Sequence, residues 1–87
     1  MESKLTINEH GTKEWKLPNG KWHREDGPAF MNHANTKAWY INGQLHREDG
    51  PAIEYLDGNK YWFLNGVEYN EKEYKYEIRS RKLKQLL

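Results

Sequence analysis

Two histidine–aspartate pairs are the residues of this chain whose types and spacing suggest chemistry. His23 stands three positions before Asp26, and the same pair recurs further along the chain as His46 and Asp49. An imidazole beside a carboxylate can ligate a metal ion or exchange protons. A metal site needs about three or four donors that converge on one ion, however, whereas copies of a repeat lie one unit apart. We therefore expect the histidines to pack and hydrogen-bond across neighbouring hairpins and the aspartates to satisfy turn amides, and we predict no metal, no cofactor and no catalytic residue.

Composition and the remaining motifs point away from an enzyme as well. The chain has no Gly-rich phosphate loop, no nucleophile elbow and no His-Glu-x-x-His. It has no Cys, which excludes disulfides and thiolate-bound zinc and fits a reducing cytoplasm. The formal net charge is +1, so charge alone favours neither nucleic acid nor a membrane as partner. Because no long apolar run is present, we expect a cytoplasmic protein without a membrane partner.

The two pairs belong to a longer motif, His-Arg-Glu-Asp-Gly-Pro-Ala, which occurs at 23–29 and again at 46–52. Asp-Gly favours a turn, and Pro lacks the N–H that the interior of a β-ladder requires. The motif therefore predicts the end of one strand, a turn and the start of the next strand. We interpret the following residues as structural: His23, Arg24, Asp26, Gly27, Pro28, His46, Arg47, Asp49, Gly50 and Pro51.

Tryptophans follow nearly the same period as the motif. Trp15, Trp39 and Trp62 recur at almost equal spacing, and each precedes an Asn-Gly turn signal. The third copy lacks the motif, as terminal repeats often do. Alternating apolar and polar residues around each Trp are typical of half-buried antiparallel strands. The sequence thus predicts a mainly β fold, an antiparallel meander of about three stacked β-hairpin repeats and about eight strands.

A second turn position also repeats. Asn35 stands where Gly11 stands in the first copy and Gly58 in the third. Asn is the residue that most readily replaces Gly in a left-handed backbone conformation. We therefore predict a left-handed turn at all three positions.

The face of the tryptophan strands opposite the indoles changes along the chain. It is polar in the first repeat and aromatic in the last, in the order Glu14 and Lys16, Ala38 and Tyr40, Tyr61 and Phe63. An exposed apolar patch of this kind needs a cover or a partner.

The C-terminal segment predicts one helix, at about 71–85. Asn70 and Glu73 fit a capping box, and acidic residues at its start and basic residues at its end suit the helix dipole. The helix either covers Tyr61 and Phe63 or docks on a partner or a second copy of the chain. Its apolar side chains form an approximate stripe: Tyr74, Ile78, Leu83, Leu86 and Leu87.

Residues 12–69 resemble the MORN-type β-hairpin repeats. The match is closest to a degenerate variant with Asn-Gly-x-x-His-Arg-Glu-Asp-Gly-Pro-Ala followed by x-Gly-x-x-x-Trp. The resemblance implies a curled antiparallel sheet of stacked hairpins and brings no catalytic residues. Small proteins with this variant are common among bacteriophage accessory genes, which implies a binding or scaffolding role. We expect one domain over 1–87, with the sheet in 1–69 and the helix in 70–87.

These patterns favour a non-enzymatic binding module, of the phage accessory kind, that binds and inhibits a host protein such as a defence protein in the host cytoplasm. One alternative is a sponge for an anionic nucleotide-like ligand, with rings that stack on a base and cations that meet phosphate. Others are a self-assembling scaffold, as a homo-oligomer, and a nucleic-acid binder that uses the basic helix. The expected partner-binding residues are Tyr40, Tyr61, Phe63, Tyr74, Ile78, Arg79, Lys82 and Leu83.

Overall fold

The computed structural model describes residues 2–86. Met1 and Leu87, the last leucine of the predicted apolar stripe, lie outside the described residues. In the described part, nine strands precede one helix: β1 (Lys4–Ile7), β2 (Lys13–Lys16), β3 (Phe30–Met31), β4 (Lys37–Ala38), β5 (Tyr40–Ile41), β6 (Gln44–Leu45), β7 (Ile53–Glu54), β8 (Lys60–Leu64), β9 (Val67–Tyr69) and α1 (Glu71–Gln85).

The strands of the described chain form one large antiparallel sheet and a small hairpin. The large sheet has the order β1-β2-β3-β4-β7-β8-β9, and β5 pairs with β6. Every pairing is antiparallel. The predicted fold class, an antiparallel meander followed by a C-terminal helix, is therefore confirmed.

Each tryptophan strand changes its hydrogen-bonding partner at the Trp. The N–H of Trp39 donates to the carbonyl of Ala52 at 2.8 Å, and its own carbonyl accepts from the N–H of His46 at 3.0 Å. Trp15 makes the equivalent two bonds with the first motif. The strand around Trp39 is consequently divided at this residue into β4 and β5.

Backbone hydrogen bonds join successive repeats edge to edge. The N–H of Arg24 donates to the carbonyl of Tyr40 at 3.1 Å, and the N–H of Gly43 donates to the carbonyl of Trp22 at 2.8 Å. The same two bonds recur one repeat later. Residues 21–24 return from the first Asn-Gly turn and bond both to their own hairpin and to the next repeat, but they contain only an isolated bridge, between Lys16 and Trp22.

The predicted left-handed turn at the repeated Gly or Asn position is confirmed. Asn35 has φ 59°, and Gly11 and Gly58 have φ 80° and 94°. A residue with a Cβ is strained in this region, and Asn tolerates it better than most. The backbone of the turn is therefore the same in all three repeats although the residue is not.

The core is small and lies along the tryptophan strands. Ala29 and Ala52, which close the two motifs, are both 0% exposed. The motif therefore contributes directly to the core as well as to a turn. The other buried residues among those described are Leu17, His23, Ala38, Leu64 and Tyr74.

Helix α1 begins with the predicted capping box. The side chain of Asn70 accepts from the N–H of Glu73 at 2.8 Å, and the carboxylate of Glu73 accepts from the N–H of Asn70 at 3.4 Å. Tyr74 is the buried residue of the described helix. No helix in residues 2–86 combines the length and the apolar character needed to cross a bilayer.

The helix does not cover Tyr61 and Phe63, which corrects one of the two expectations for it. Tyr74 packs on Trp62, with ring centroids 6.4 Å apart. Because side chains alternate along a strand, Trp62 points to the face opposite Tyr61 and Phe63. The third repeat has no motif arginine to lie over its indole, which packs against the ring of Tyr74 instead.

Candidate functional site

The motif arginine of the first repeat is held between its own Trp and its own loop. The Cζ atom of Arg24 lies 3.8 Å from the ring centroid of Trp15. Its Nε donates to Oδ1 of Asp26 at 2.9 Å, and its Nη1 donates to the carbonyl of Pro28 at 3.2 Å. A cation over an indole is favourable, and the ion pair fixes the guanidinium in that position.

The second repeat builds the same arrangement. Cζ of Arg47 lies 3.7 Å from the ring centroid of Trp39, and Nε donates to Asp49 at 2.9 Å. Nη1 donates to the carbonyl of Pro51 at 3.0 Å and to Oε1 of Glu54 at 3.1 Å. Both motif guanidiniums are thus engaged by carboxylates of the chain itself, which leaves them poorly placed to bind a phosphate.

The motif glycine is required for space. A Cβ built on Gly27 would lie 2.8 Å from Cζ of Arg24, and one on Gly50 would lie 3.0 Å from Cζ of Arg47. Neither glycine has a positive φ. The guanidinium is therefore enclosed between an indole and a glycine, whereas the sequence indicated only a turn at these positions.

The motif histidines connect one repeat to the next. Nδ1 of His23 accepts from the N–H of Asn42 at 3.0 Å, and Nδ1 of His46 accepts from the N–H of Asn65 at 2.9 Å. Nε2 of His46 lies 3.0 Å from Oε2 of Glu48. The imidazoles therefore do not pair with the motif aspartates. Among residues 2–86, no group of three or more metal-ligating side chains converges.

The face opposite the indoles is aromatic from the first repeat onward. The ring of Trp22 lies 5.5 Å from that of Phe30 and 4.9 Å from that of Tyr40, between centroids. Trp22 Nε1 donates to Oε2 of Glu14 at 2.9 Å. The expectation that this face is polar in the first repeat is therefore wrong. It rested on Glu14 and Lys16 alone, whereas Trp22 and Phe30, which follow the Trp15 strand in the chain, lie on the same face.

At the other end of this face, Tyr55 and Tyr61 meet edge to face, with centroids 5.9 Å apart. They are 42% and 40% exposed. Burial raises the pKa of Tyr40, and the nearby Tyr55 raises it further. We call this surface the aromatic face; its rings are Trp22, Phe30, Tyr40, Tyr55, Tyr61 and Phe63.

Sequence reasoning did not include three members of the aromatic face, Trp22, Phe30 and Tyr55. The repeat itself held the signal for two of them. Trp22 and Phe30 align with Leu45 and Ile53 of the second repeat, which are apolar and lie on strands. Extending the repeat comparison beyond the tryptophan strands would have placed both rings on this face.

The expected partner-binding residues separate into two surfaces. Tyr40, Tyr61 and Phe63 lie on the aromatic face, whereas Tyr74 is only 4% exposed and packs within the chain. The remaining four residues share a groove of about 290 Å³ along the helix: Ile78, Arg79, Lys82 and Leu83.

A larger cavity of about 860 Å³ opens on the indole side, between the two motif loops. Three cations and four carboxylates line it, together with Trp39, Ile41, His46 and Gly27. The cations are Arg24, Arg47 and Lys82, and the carboxylates are Glu25, Asp26, Glu48 and Asp49. The excess of carboxylates makes this cavity unsuitable for an anion.

Comparison of the chain with protein-family models, with curated proteins and with solved structures finds no match. The resemblance to MORN-type repeats therefore stays a prediction.

Proposed function

We propose that this chain is a non-enzymatic protein-binding module that docks a partner on its aromatic face. The observation that carries the proposal is the position of the helix. Helix α1 packs on the indole side through Tyr74, so no described element covers the opposite face, where Tyr55 and Tyr61 remain about two-fifths exposed. Exposed aromatic residues of this kind are enriched at protein interfaces.

The rings of the aromatic face are preorganised for binding. They stand on sheet strands, and contacts such as that between Trp22 and Tyr40 restrict them before any partner arrives. Tyr also has few rotatable bonds, so little side-chain entropy is lost on binding. At the first-repeat end, Lys16 and Glu14 lie 3.7 Å apart and give the patch a polar border, as is usual at interfaces.

The motif residues support a module without catalytic chemistry. Both nitrogens of His46 have partners, Asn65 and Glu48, and both motif aspartates are bound to arginines. Every buried side-chain nitrogen and oxygen in the described chain has a hydrogen-bond partner. The motif side chains that could have exchanged protons instead form the hydrogen bonds and ion pairs that hold the repeats together.

The resemblance to repeat variants common among phage accessory genes suggests a host protein as the partner and inhibition as the result. The nucleotide sponge is less well supported, because the motif arginines are already paired and the cavity beside them carries four carboxylates.

The test is quantitative affinity purification from cells that contain the partner. We expect the double variant Tyr55→Ser/Tyr61→Ser to recover at least about tenfold less of the partner, since two interface rings are together worth more than about 1.4 kcal/mol. Tyr76→Ser is the matched control, because Tyr76 is 73% exposed on the helix. Equal recovery by the double variant, with loss instead for Arg79→Gln/Lys82→Gln, would show that the helix is the binding surface and would refute the proposal.

A further inference from the structure

The hydroxyl of Tyr74 occupies a socket made by the second motif loop. It donates to the backbone carbonyl of Arg47 and accepts from the N–H of Gly50 at 3.3 Å. Its ring lies against Trp62. The socket thus offers one acceptor, one donor and an aromatic wall.

The first motif loop presents the same groups one repeat earlier. The equivalents are the carbonyl of Arg24, the N–H of Gly27 and the indole of Trp39. The two loops are built alike, since the arginine–indole distances are 3.8 and 3.7 Å and both arginine–aspartate bonds are 2.9 Å. Within residues 2–86, no hydrogen bond is made to the Arg24 carbonyl or to the Gly27 N–H.

This second socket lies in the 860 Å³ cavity. Tyr74 hydrogen-bonds to Arg47 and Gly50 and packs on Trp62, and the charges of Glu48 and Asp49 act on its phenol. Their five equivalents one repeat earlier all line the cavity: Arg24, Glu25, Asp26, Gly27 and Trp39. The molecule therefore contains one filled copy of the socket and one copy, called the open socket below, whose two backbone groups are unused although its indole already carries Arg47.

We propose that the open socket binds a tyrosine side chain presented by a partner protein. The phenol hydroxyl accepts from the N–H of Gly27 and donates to the carbonyl of Arg24, and the ring lies beside Trp39. A hydroxyl suits these two backbone groups because it both donates and accepts. An anion does not suit them, because four carboxylates stand around the cavity.

The open socket differs from the filled one in a way that affects its ligand. Trp39 already carries the guanidinium of Arg47, whereas Trp62 carries no arginine. An incoming ring therefore meets the edge of the Arg47–Trp39 stack and the side chain of Ile41. The cavity is larger than a phenol ring, and the remaining space accommodates the partner's residues on either side of the tyrosine, which pass Lys82 of α1.

The test is a titration of the full-length, ¹⁵N-labelled protein with N-acetyl-L-tyrosinamide, followed by NMR. N-acetyl-L-phenylalaninamide is the matched probe, since it lacks only the hydroxyl. We expect the tyrosine probe to shift the Gly27 amide and the Trp39 indole signals, and the phenylalanine probe to bind at least about fivefold more weakly, because it lacks both hydrogen bonds of the hydroxyl. Equal responses to the two probes, or an unmoved Gly27 amide, would overturn the proposal.

Opening the filled socket gives an internal comparison. In Tyr74→Ala the tyrosine probe should also move the Gly50 amide, which it leaves unmoved in the unaltered protein. If this variant does not fold, the titration of the unaltered protein decides alone.

The variant Tyr55→Ser/Tyr61→Ser should bind the probe normally, because the aromatic face and the open socket lie on opposite sides of the sheet. Loss of probe binding in that variant would place the binding site of the probe on the aromatic face and contradict the inference.

Discussion

Nδ1 of His23 in the first repeat accepts a hydrogen bond from the backbone N–H of Asn42 in the second, over 3.0 Å. Asn42 has φ 51° and forms the tight hairpin turn of its repeat. The imidazole therefore fixes the turn of the next repeat, and because Nδ1 accepts, the ring proton lies on Nε2. His46 and Asn65 repeat this contact, so the histidine of the motif determines how the hairpins align.

Replacing His23 by Asn and by Gln separates this hydrogen bond from simple packing. The Asn oxygen is attached to Cγ, as Nδ1 is, and can still accept from Asn42, whereas the Gln oxygen lies one bond further out. We expect His23→Gln to be less stable than His23→Asn by about 1 kcal/mol, since an N–H is left without its partner. Urea unfolding followed by circular dichroism measures the difference. Equal stabilities would contradict this role, and His33→Gln, at an exposed position, serves as control.

Gly27→Ala should expel the guanidinium of Arg24 from its place over Trp15. The new Cβ would lie 2.8 Å from Cζ, so either the loop or the arginine must move. We expect a loss of about 1–3 kcal/mol, as for other overpacked sites, measured by thermal or urea unfolding.

A double-mutant cycle identifies the cause of that loss. Once Arg24→Ala has removed the guanidinium, Gly27→Ala should cost little more, so the two changes should be strongly non-additive. Additive effects would show that the glycine is required for its backbone conformation. The same cycle at Gly50 and Arg47 should give the same sign, because a Cβ there would lie 3.0 Å from Cζ.

The period of the sequence was sufficient to predict most of the fold. Turn residues such as Asn35 and Gly58 repeat at one position, and a local rule connects each of them to its backbone conformation. The capping box of Asn70 and Glu73 likewise predicted the start of the helix. Short-range chemistry determines these features, so they can be predicted from a single sequence.

The packing of distant residues could not be predicted in the same way. Whether Tyr74 covers Tyr61 or Trp62 depends on which indole lacks an arginine, and on a distant loop that accepts the phenol. The space that Gly27 leaves for Arg24 depends on side-chain volumes in three dimensions. Neither relationship has a periodic or local signal.

Tyr74 should hold the helix to the sheet. Tyr74→Phe loses both hydroxyl bonds to the second motif loop and should cost about 1 kcal/mol or slightly more. Tyr74→Ala also removes the ring over Trp62 and should cost about 3–5 kcal/mol. Because an isolated helix as short as α1 is marginal in water, the amides of α1 should then exchange with solvent faster than those of the sheet. Hydrogen exchange measures this.

The matched control for that experiment is Tyr76→Phe, at an exposed position further along the same helix. It should leave both stability and exchange unchanged. If Tyr74→Ala left the exchange of α1 unchanged, the helix would be held by other residues and the socket would have little energetic role.

Stability should fall at alkaline pH because two tyrosines are harder to ionise in the folded protein. Burial raises the pKa of Tyr74 and of Tyr40 above the ordinary value of 10.0. Between that value and the raised pKa, the unfolded chain loses the phenol proton while the folded chain keeps it, so unfolding becomes more favourable as pH rises. The stability that the two buried phenols contribute is complete below about pH 10 and is lost as pH increases through the raised pKa.

Urea unfolding between about pH 9 and 11.5 should therefore show that stability declines more steeply for the unaltered protein than for Tyr40→Phe/Tyr74→Phe. Parallel declines would mean that these phenols ionise equally easily in both states, whereas Tyr76→Phe, the exposed control, should leave the slope unchanged.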